Sequence, residues 1–264
     1  SSEADRPEIA RRVGVTLVDI PVTDLIAEYE KVQADDLEPL AEDVRAGLSA
    51  KGPSVLDKYA DGAFRIYKAL KNIVARHQLT GLTMRCFDLL DSIGNTGCLA
   101  LAMLNAEGIP AGCEGDVPAL LSMTIGNALT GVSGFQANPS RIDPQTGEIL
   151  FAHCTVPLNM LKDYTFNTHF ESGIGIAVSG EIPSGPATVF KVSGDMSRSF
   201  CCGAELVRCQ KEGSLCRTQA ILKADDPKVC TDYFLTRPIG NHHIIFPGSY
   251  KTLFDTFIKE ISLS

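Results

Sequence analysis

No stretch of this chain stays apolar over the roughly 20 residues that a membrane helix needs, so no membrane partner is expected. Positive charge is also short. Lysine and arginine number 24 against 32 aspartates and glutamates, a formal net charge of −8. A nucleic-acid partner would need a basic face, and none is expected here. No C-x-x-C spacing occurs among the nine cysteines, which argues against a structural zinc knuckle. Their count is odd, they are spread through a long chain, and Cys86, Cys98 and Cys154 sit in apolar runs. Reduced thiols in a cytoplasmic protein are therefore expected, not a disulfide scaffold. Cys201 and Cys202 would face opposite sides of a strand and are assigned to packing. Internal repeats and low-complexity tracts are absent. The first residues, SSEADRPEIARR, carry neither an initiator methionine nor a signal-peptide pattern, and a processed chain or part of a longer polypeptide is expected.

What is present is enough to fold. The 264 residues are 44% hydrophobic, and roughly one to three domains are expected at this length. Three textures divide the chain. Residues 1–59 are charged, with a strand-like run at 13–20 and an acidic helical stretch at 25–48; they read as the end of an N-terminal α/β domain plus a connector. Residues 60–131 alternate helix and strand. Phe64, Tyr67, Leu70 and Val74 recur at helical spacing, "LTGLTMRCF" is strand-like, "TGCLALAMLNAEG" is a buried helix, "IPAGCE" a short strand and "DVPALLSMTIGNALTG" a helix. That alternation predicts an α/β fold with a Rossmann-like parallel layer. Residues 132–264 carry short β-rich runs broken by Gly, Pro, Asp and Asn ("EILFAHCTV", "SGIGIAVSG", "ATVFKVSGD", "TQAILKA", "HHIIFPG"). They predict an antiparallel, barrel-like C-terminal domain closed by an amphipathic helix over 249–261.

Within "GIPAGCEGDVPALLSM" two acids stand where a strand hands over to a helix. Asp116 immediately precedes "VPALL", and Asp is a favoured N-cap with proline in the following turn. Glu114 has no such role. It follows the end of a predicted strand, where open α/β sheets bind their ligands, so it is either a surface loop charge or a ligand and acid/base group. The histidines number five. His77 sits at a predicted helix C-terminus, where the dipole favours a cation. His153, His242 and His243 lie in or beside β-rich runs. Any one of them alone would read as a satisfied core histidine. Several imidazoles together with an unexplained carboxylate suit a divalent transition ion such as Mn²⁺, Fe²⁺, Co²⁺ or Zn²⁺.

The segments "AGCEGDVPALL", "GFQANPSRIDPQTGEILFAHCTVP" and "GNHHIIFPG", in that order, resemble the L-fucose isomerase and L-arabinose isomerase superfamily, and "THFESGIGIAVSG" and "GPATVFKVSGD" between them are similar to it as well. The likeness runs over about 79–247 and is greatest to the fucose isomerase-related branch. It implies a Mn²⁺-dependent aldose–ketose isomerase of carbohydrate metabolism, a homo-oligomer with sites near subunit interfaces, and a further N-terminal α/β domain. It also implies Glu114 as a metal ligand that moves protons and His153 as a second ligand. Of the final histidine pair it makes His243 the ligand and His242 a substrate contact.

The sequence departs from the family at "FQAN", where Ala137 and Asn138 stand in place of the second acidic ligand. Asn138 is left as a weak carbonyl ligand, and the second proton carrier becomes Asp116, Asp143 or a water. Arg85 and Arg141 flank the candidate site. Each either holds an anionic sugar (phosphate, sulfonate or carboxylate) by bidentate hydrogen bonds or makes a structural ion pair. Three functions follow: an isomerase of a neutral sugar, an isomerase of an anionic sugar, or a non-catalytic sugar-binding relative.

Overall fold

In a computed structural model of the chain, residues 4–47 and 55–263 are described. Asp5 caps helix α1 (Arg6–Val13) by accepting from Glu8 N, and Gly14 ends it with φ of 68°, a conformation glycine adopts without strain. The run 13–20, expected as a strand, is irregular after α1. No strand of the described residues pairs with it, and an extended segment needs a partner for its backbone groups. The acidic stretch that follows forms α2 (Val22–Lys31) and α3 (Glu38–Ala46). α2 packs on the long helix α4 (Val55–His77), whose Phe64, Tyr67 and Leu70 are buried at the spacing of one helical face.

Strand β1 (Leu82–Thr83) follows, then α5 (Asp88–Ile93), α6 (Cys98–Ala106), β2 (Ala111–Gly112) and α7 (Val117–Thr130). α6 is apolar on every side and buried throughout, Cys98 to Asn105, as a helix inside a layered core must be. β1 and β2 pair in parallel, Leu82 with Ala111 and Thr83 with Gly112. Among the described residues the parallel layer is two two-residue strands with helices around them, short of the Rossmann-like sheet expected. Buried amides replace missing strands around β2. Asn105 accepts from Ala111 N and donates to Ala111 O, and Gln136 accepts from Cys113 N and donates to Cys113 O.

The barrel expected beyond residue 132 is closed. Its strands run in the spatial order β10 (His243–Pro247), β3 (Phe135–Ile142), β4 (Glu148–His153), β9 (Thr218–Ala224), β8 (Ser199–Gln210) and β7 (Gly185–Val192), all antiparallel. A separate hairpin pairs β5 (Tyr164–Asn167) with β6 (Ala177–Gly180). Closure removes the sheet edges. Helix α8 (Pro227–Thr236) precedes β10, and α9 (Lys251–Leu263) ends the described chain. Among the described residues no helix is long and apolar enough to cross a membrane.

Alternate strand residues serve two cores. Val189 of β7 and Ile245 of β10 join one that also holds Phe234 of α8 and runs into α4 and α6. Phe190, Ile244 and Phe246 join a second with α7, α9 and Ile9. Cys201 and Cys202 divide the same way. Cys202 is not a free thiol, however: it forms a disulfide with Cys230 of α8, which corrects the expectation of nine reduced cysteines. The partners are 28 residues apart, and only the folded course of β9 and α8 brings them together.

α7 approaches the barrel through Gly126, where a Cβ would run into the ring of Phe246. Gly126→Ala is therefore expected to destabilise the fold by about 1–3 kcal/mol through overpacking. Shortening the ring in Gly126→Ala/Phe246→Leu should recover part of that loss. Urea unfolding of the single and double variants checks it; additive losses would exclude this contact as the cause.

Candidate metal centre

β2 ends at Gly112, and the chain must turn before α7 can start. It does so through two successive left-handed residues, Glu114 at φ 61° and Gly115 at φ 66°. Gly115 adopts that conformation freely, whereas Glu114 does so at a cost of about 1–2 kcal/mol. The turn is held by hydrogen bonds from Gly115 N to Met84 O and from Asp116 N to Cys113 O. Strained non-glycine residues concentrate at functional sites, and here the strained residue is the carboxylate without a structural role.

Glu114 meets two imidazoles from the barrel rim. His153 Nε2 lies 3.8 Å from Glu114 Oε1, and His242 Nε2 lies 3.6 Å from Glu114 Oε2. One ligand atom from each of Glu114, His153 and His242 lies within 4.8 Å of the others. The rings stand edge to face, 5.2 Å between centroids. Both histidines are buried, with side chains 4% exposed, while Glu114 is 40% exposed. The site is walled by histidine and open on the carboxylate side.

Each imidazole is oriented through its other nitrogen. His153 Nδ1 bonds Thr155 Oγ1 at 2.9 Å. His242 Nδ1 bonds Asp116 Oδ2 at 2.9 Å. Partners of this kind fix the tautomer and ring direction of metal-binding histidines. His242 Nε2 is buried and has no hydrogen-bond partner among the described residues, although it faces a carboxylate. An orphaned ring nitrogen at that point, beside a second imidazole and a carboxylate, fits a divalent transition ion. Glu114, His153 and His242 would hold it.

The charges agree with this arrangement. The imidazoles of His153 and His242 hold the Glu114 carboxyl well below the usual carboxylate range, against the opposing effect of burial. Burial pushes the His242 pKa down, but the Asp116 hydrogen bond and the negative charges of Glu114 and Asp116 outweigh it and the net shift is upward. Burial raises the Asp116 pKa; the His242 hydrogen bond and the Lys191 charge more than offset it, and the net shift is downward.

His243, expected as the ligand, lies elsewhere. Adjacent residues at the start of a strand face opposite ways, and both nitrogens of His243 are engaged: Nδ1 with Asn241 O at 3.2 Å and Nε2 with the Tyr233 hydroxyl at 2.7 Å. Its ring packs among Phe200, Tyr233 and Phe234. Burial pushes its pKa down to about 3. His242, expected to touch substrate, takes the place in the triad.

Asp116 caps α7 through Oδ1, which accepts from Ala119 N at 2.9 Å, and orients His242 through Oδ2. Asn138 lies on β3 opposite Ala152. Arg85 pairs with Asp88, Nε to Oδ2 3.1 Å, with its stem against Gly115. Arg141 pairs with Glu212 at 2.8 Å; it sits opposite Leu150, three residues before His153 on β4. Asp143 bonds its own turn, accepting from Gln145 N and Thr146 N. A groove of about 800 Å³ between residues 15–22 and the α/β layer reaches Arg85 and Gly115 but none of the three triad residues. Thr155, Gln136 and Lys191 carry parts of the site that the sequence reading missed. Thr155 alone had a legible signal, its i+2 spacing from His153.

No family model matches the chain. Over 194 residues, 70% of the chain, it is 32% identical to a sulfoquinovose isomerase of Clostridium sp. (strain MSTE9), and the match covers 42% of that protein. Over 130 residues, 47% of the chain, it is 25% identical to a sulfoquinovose isomerase of Alkalicoccus urumqiensis, covering 29% of that protein. The matches thus take in less than half the length of either curated relative.

Two outcomes test this site. Glu114→Gly and Glu114→Ala both delete the carboxylate and differ in tolerance of positive φ. The glycine variant should be more stable by about 1 kcal/mol; urea unfolding that ranks alanine higher would exclude the left-handed strain.

The second concerns His243. An unfolded histidine binds its proton below about 6.5, whereas the folded one resists until about 3. Between those values the unfolded state holds more protons, so metal-free stability should fall as pH falls. His243→Phe should flatten that loss by up to about 1.4 kcal/mol per pH unit, read from denaturant midpoints across the window; an unchanged slope would count against it.

Proposed function

We propose that this chain carries the metal-binding part of an aldose–ketose isomerase of the fucose and arabinose isomerase-like superfamily, acting on an anionic, sulfonated sugar. The convergence of Glu114 with the Nε2 atoms of His153 and His242 at an open rim is the observation that carries the reading. The names of the two relatives support the sulfonated substrate. Mn²⁺ is the favoured ion, and a homo-oligomer belongs to the same reading.

Isomerisation moves a proton between two neighbouring carbons of the sugar. A divalent ion held by Glu114, His153 and His242 supplies the positive charge that polarises the carbonyl and the adjacent hydroxyl. Glu114, ionised and exposed, accepts the proton at a carboxylate oxygen and returns it to the neighbouring carbon. His153 and His242 form the buried wall of the site and keep water from that side. Thr155 and Asp116 hold the two rings so that both Nε2 atoms face the carboxylate. Arg85, beside Gly115 and largely exposed, is within the same neighbourhood and can exchange Asp88 for a sulfonate oxygen.

The absence of the family's second acid at Ala137 and Asn138 favours a different reading, a sugar-binding relative without turnover. Assays of the Mn²⁺-loaded protein on sulfoquinovose and on neutral aldoses separate the two. Turnover of the sulfonated sugar is expected, and Glu114→Gln should lower it by a factor of about 100 or more with little effect on folding. Near-normal turnover in Glu114→Gln would move the proton-transfer role to another group. A wild type that binds these sugars and converts none would leave the binding-protein reading.

A further inference from the structure

Lys191 is the one lysine among the described residues with a fully buried side chain, 1% exposed. It lies on β7 between Phe190 and Val192, both in apolar cores. Its Nζ has no hydrogen-bond partner among the described residues. The nearest opposite charge is Asp116 Oδ2 at 3.5 Å. Burying an ammonium with one imperfect partner is costly, and a methionine of similar length would avoid the cost. Packing alone therefore does not account for a lysine here.

The surroundings of Asp116 do. Oδ1 is fixed by the N-terminus of α7. Oδ2 is the oxygen that accepts from His242 Nδ1, and the Lys191 ammonium approaches that same oxygen. α7 and β7 are locked in register beside it, since Val192 N donates to Ser122 Oγ at 3.0 Å and Ser122 Oγ donates to Pro118 O. The carboxylate is thus held by a helix end, an imidazole and an ammonium together.

We infer that Lys191 is a positioning residue for the metal centre: by anchoring Asp116 Oδ2 it keeps His242 in the Nδ1–H tautomer, with the Nε2 lone pair directed at the ion. This rests on the metal-centre reading proposed above. Without the ammonium, Asp116 keeps its cap on α7 through Oδ1, but Oδ2 is free to turn away from His242. The Nε2–H tautomer, which has no lone pair on the nitrogen that faces the site, then becomes populated. Lys191 acts through Asp116 and touches neither ion nor substrate.

Lys191→Met tests it with two readouts. In metal-free protein, at a pH above the His242 pKa, the ¹⁵N shifts of the His242 ring should report one tautomer for the wild type and a mixture for the variant. Titration calorimetry with Mn²⁺ should give a Kd raised about 10–100-fold, the usual effect of losing an outer-shell partner. In an Asp116→Asn background the same substitution should add nothing, because the route through Asp116 is already broken. A single His242 tautomer and wild-type Mn²⁺ affinity in Lys191→Met would overturn the inference, whatever the change in melting temperature. If Lys191→Met does not fold, Lys191→Gln keeps the length and a polar end without the charge, and the same two results decide. Should the wild type bind no Mn²⁺, Co²⁺ or Zn²⁺, the metal-centre reading fails, and the tautomer comparison alone judges the role of Lys191.

Discussion

One carboxylate joins the two halves of this structure. Asp116 starts α7 with one oxygen and reaches the barrel rim with the other, where it meets His242 and Lys191. Each link would be weak alone; an N-cap contributes about 0.5–2 kcal/mol. Together they fix how far α7 sits from β7 and β10, and so how far Glu114 sits from the two histidines. The left-handed turn at Glu114 and Gly115 is the geometric counterpart. It lets a strand that ends deep in the α/β layer begin a helix lying across the barrel, and it lifts the intervening carboxylate into the open.

The same junction explains why so short a parallel sheet suffices. β1 and β2 exchange few backbone hydrogen bonds, yet β2 is not frayed. Asn105 and Gln136 supply the contacts that further strands would make, one from a buried helix and one from the barrel. Gln136 grips Cys113, the residue before Glu114. A displacement of β3 would therefore be felt directly at the turn, and the barrel acts as part of the mount for a residue outside it.

Much of this was legible in the sequence where hydrophobic periodicity was strong. The helices at Phe64–Val74 spacing, in "CLALAMLNA" and after "DVPALL", the β-rich C-terminal half and the last helix all emerged from pattern and capping signals. The run at 13–20 misled because alternation reports a half-buried surface and not the presence of a partner strand. β8 has an irregular pattern, with a register shift between Leu206 and Arg208, and β3 carries Pro139 beside a shift of its own, so neither alternates cleanly. For the site, residue types pointed to Glu114 and His153, but the choice within the pair His242–His243 depended on which neighbour faced Tyr233. That is a property of the closed barrel and of α8, and a one-residue difference in facing decides it. Lys191 gave no signal at all, because a lysine between two apolar residues in a strand ordinarily points to solvent.

The absence of an acid at residue 137 also has a physical explanation in the barrel. Ala137 pairs in register with His243, and both are fully buried. A carboxylate at 137 would lie beside a ring whose two nitrogens are already engaged, in the neighbourhood of Phe200 and Phe234, and would cost several kcal/mol to keep charged. Asn138, half-buried at the rim, is the position where an acid would be tolerated. The chain keeps the neutral amide there, while Asp116, the other nearby acid, is committed to His242 and to the start of α7. Glu114 is left as the carboxylate of this junction that is both ionised and reachable from solvent.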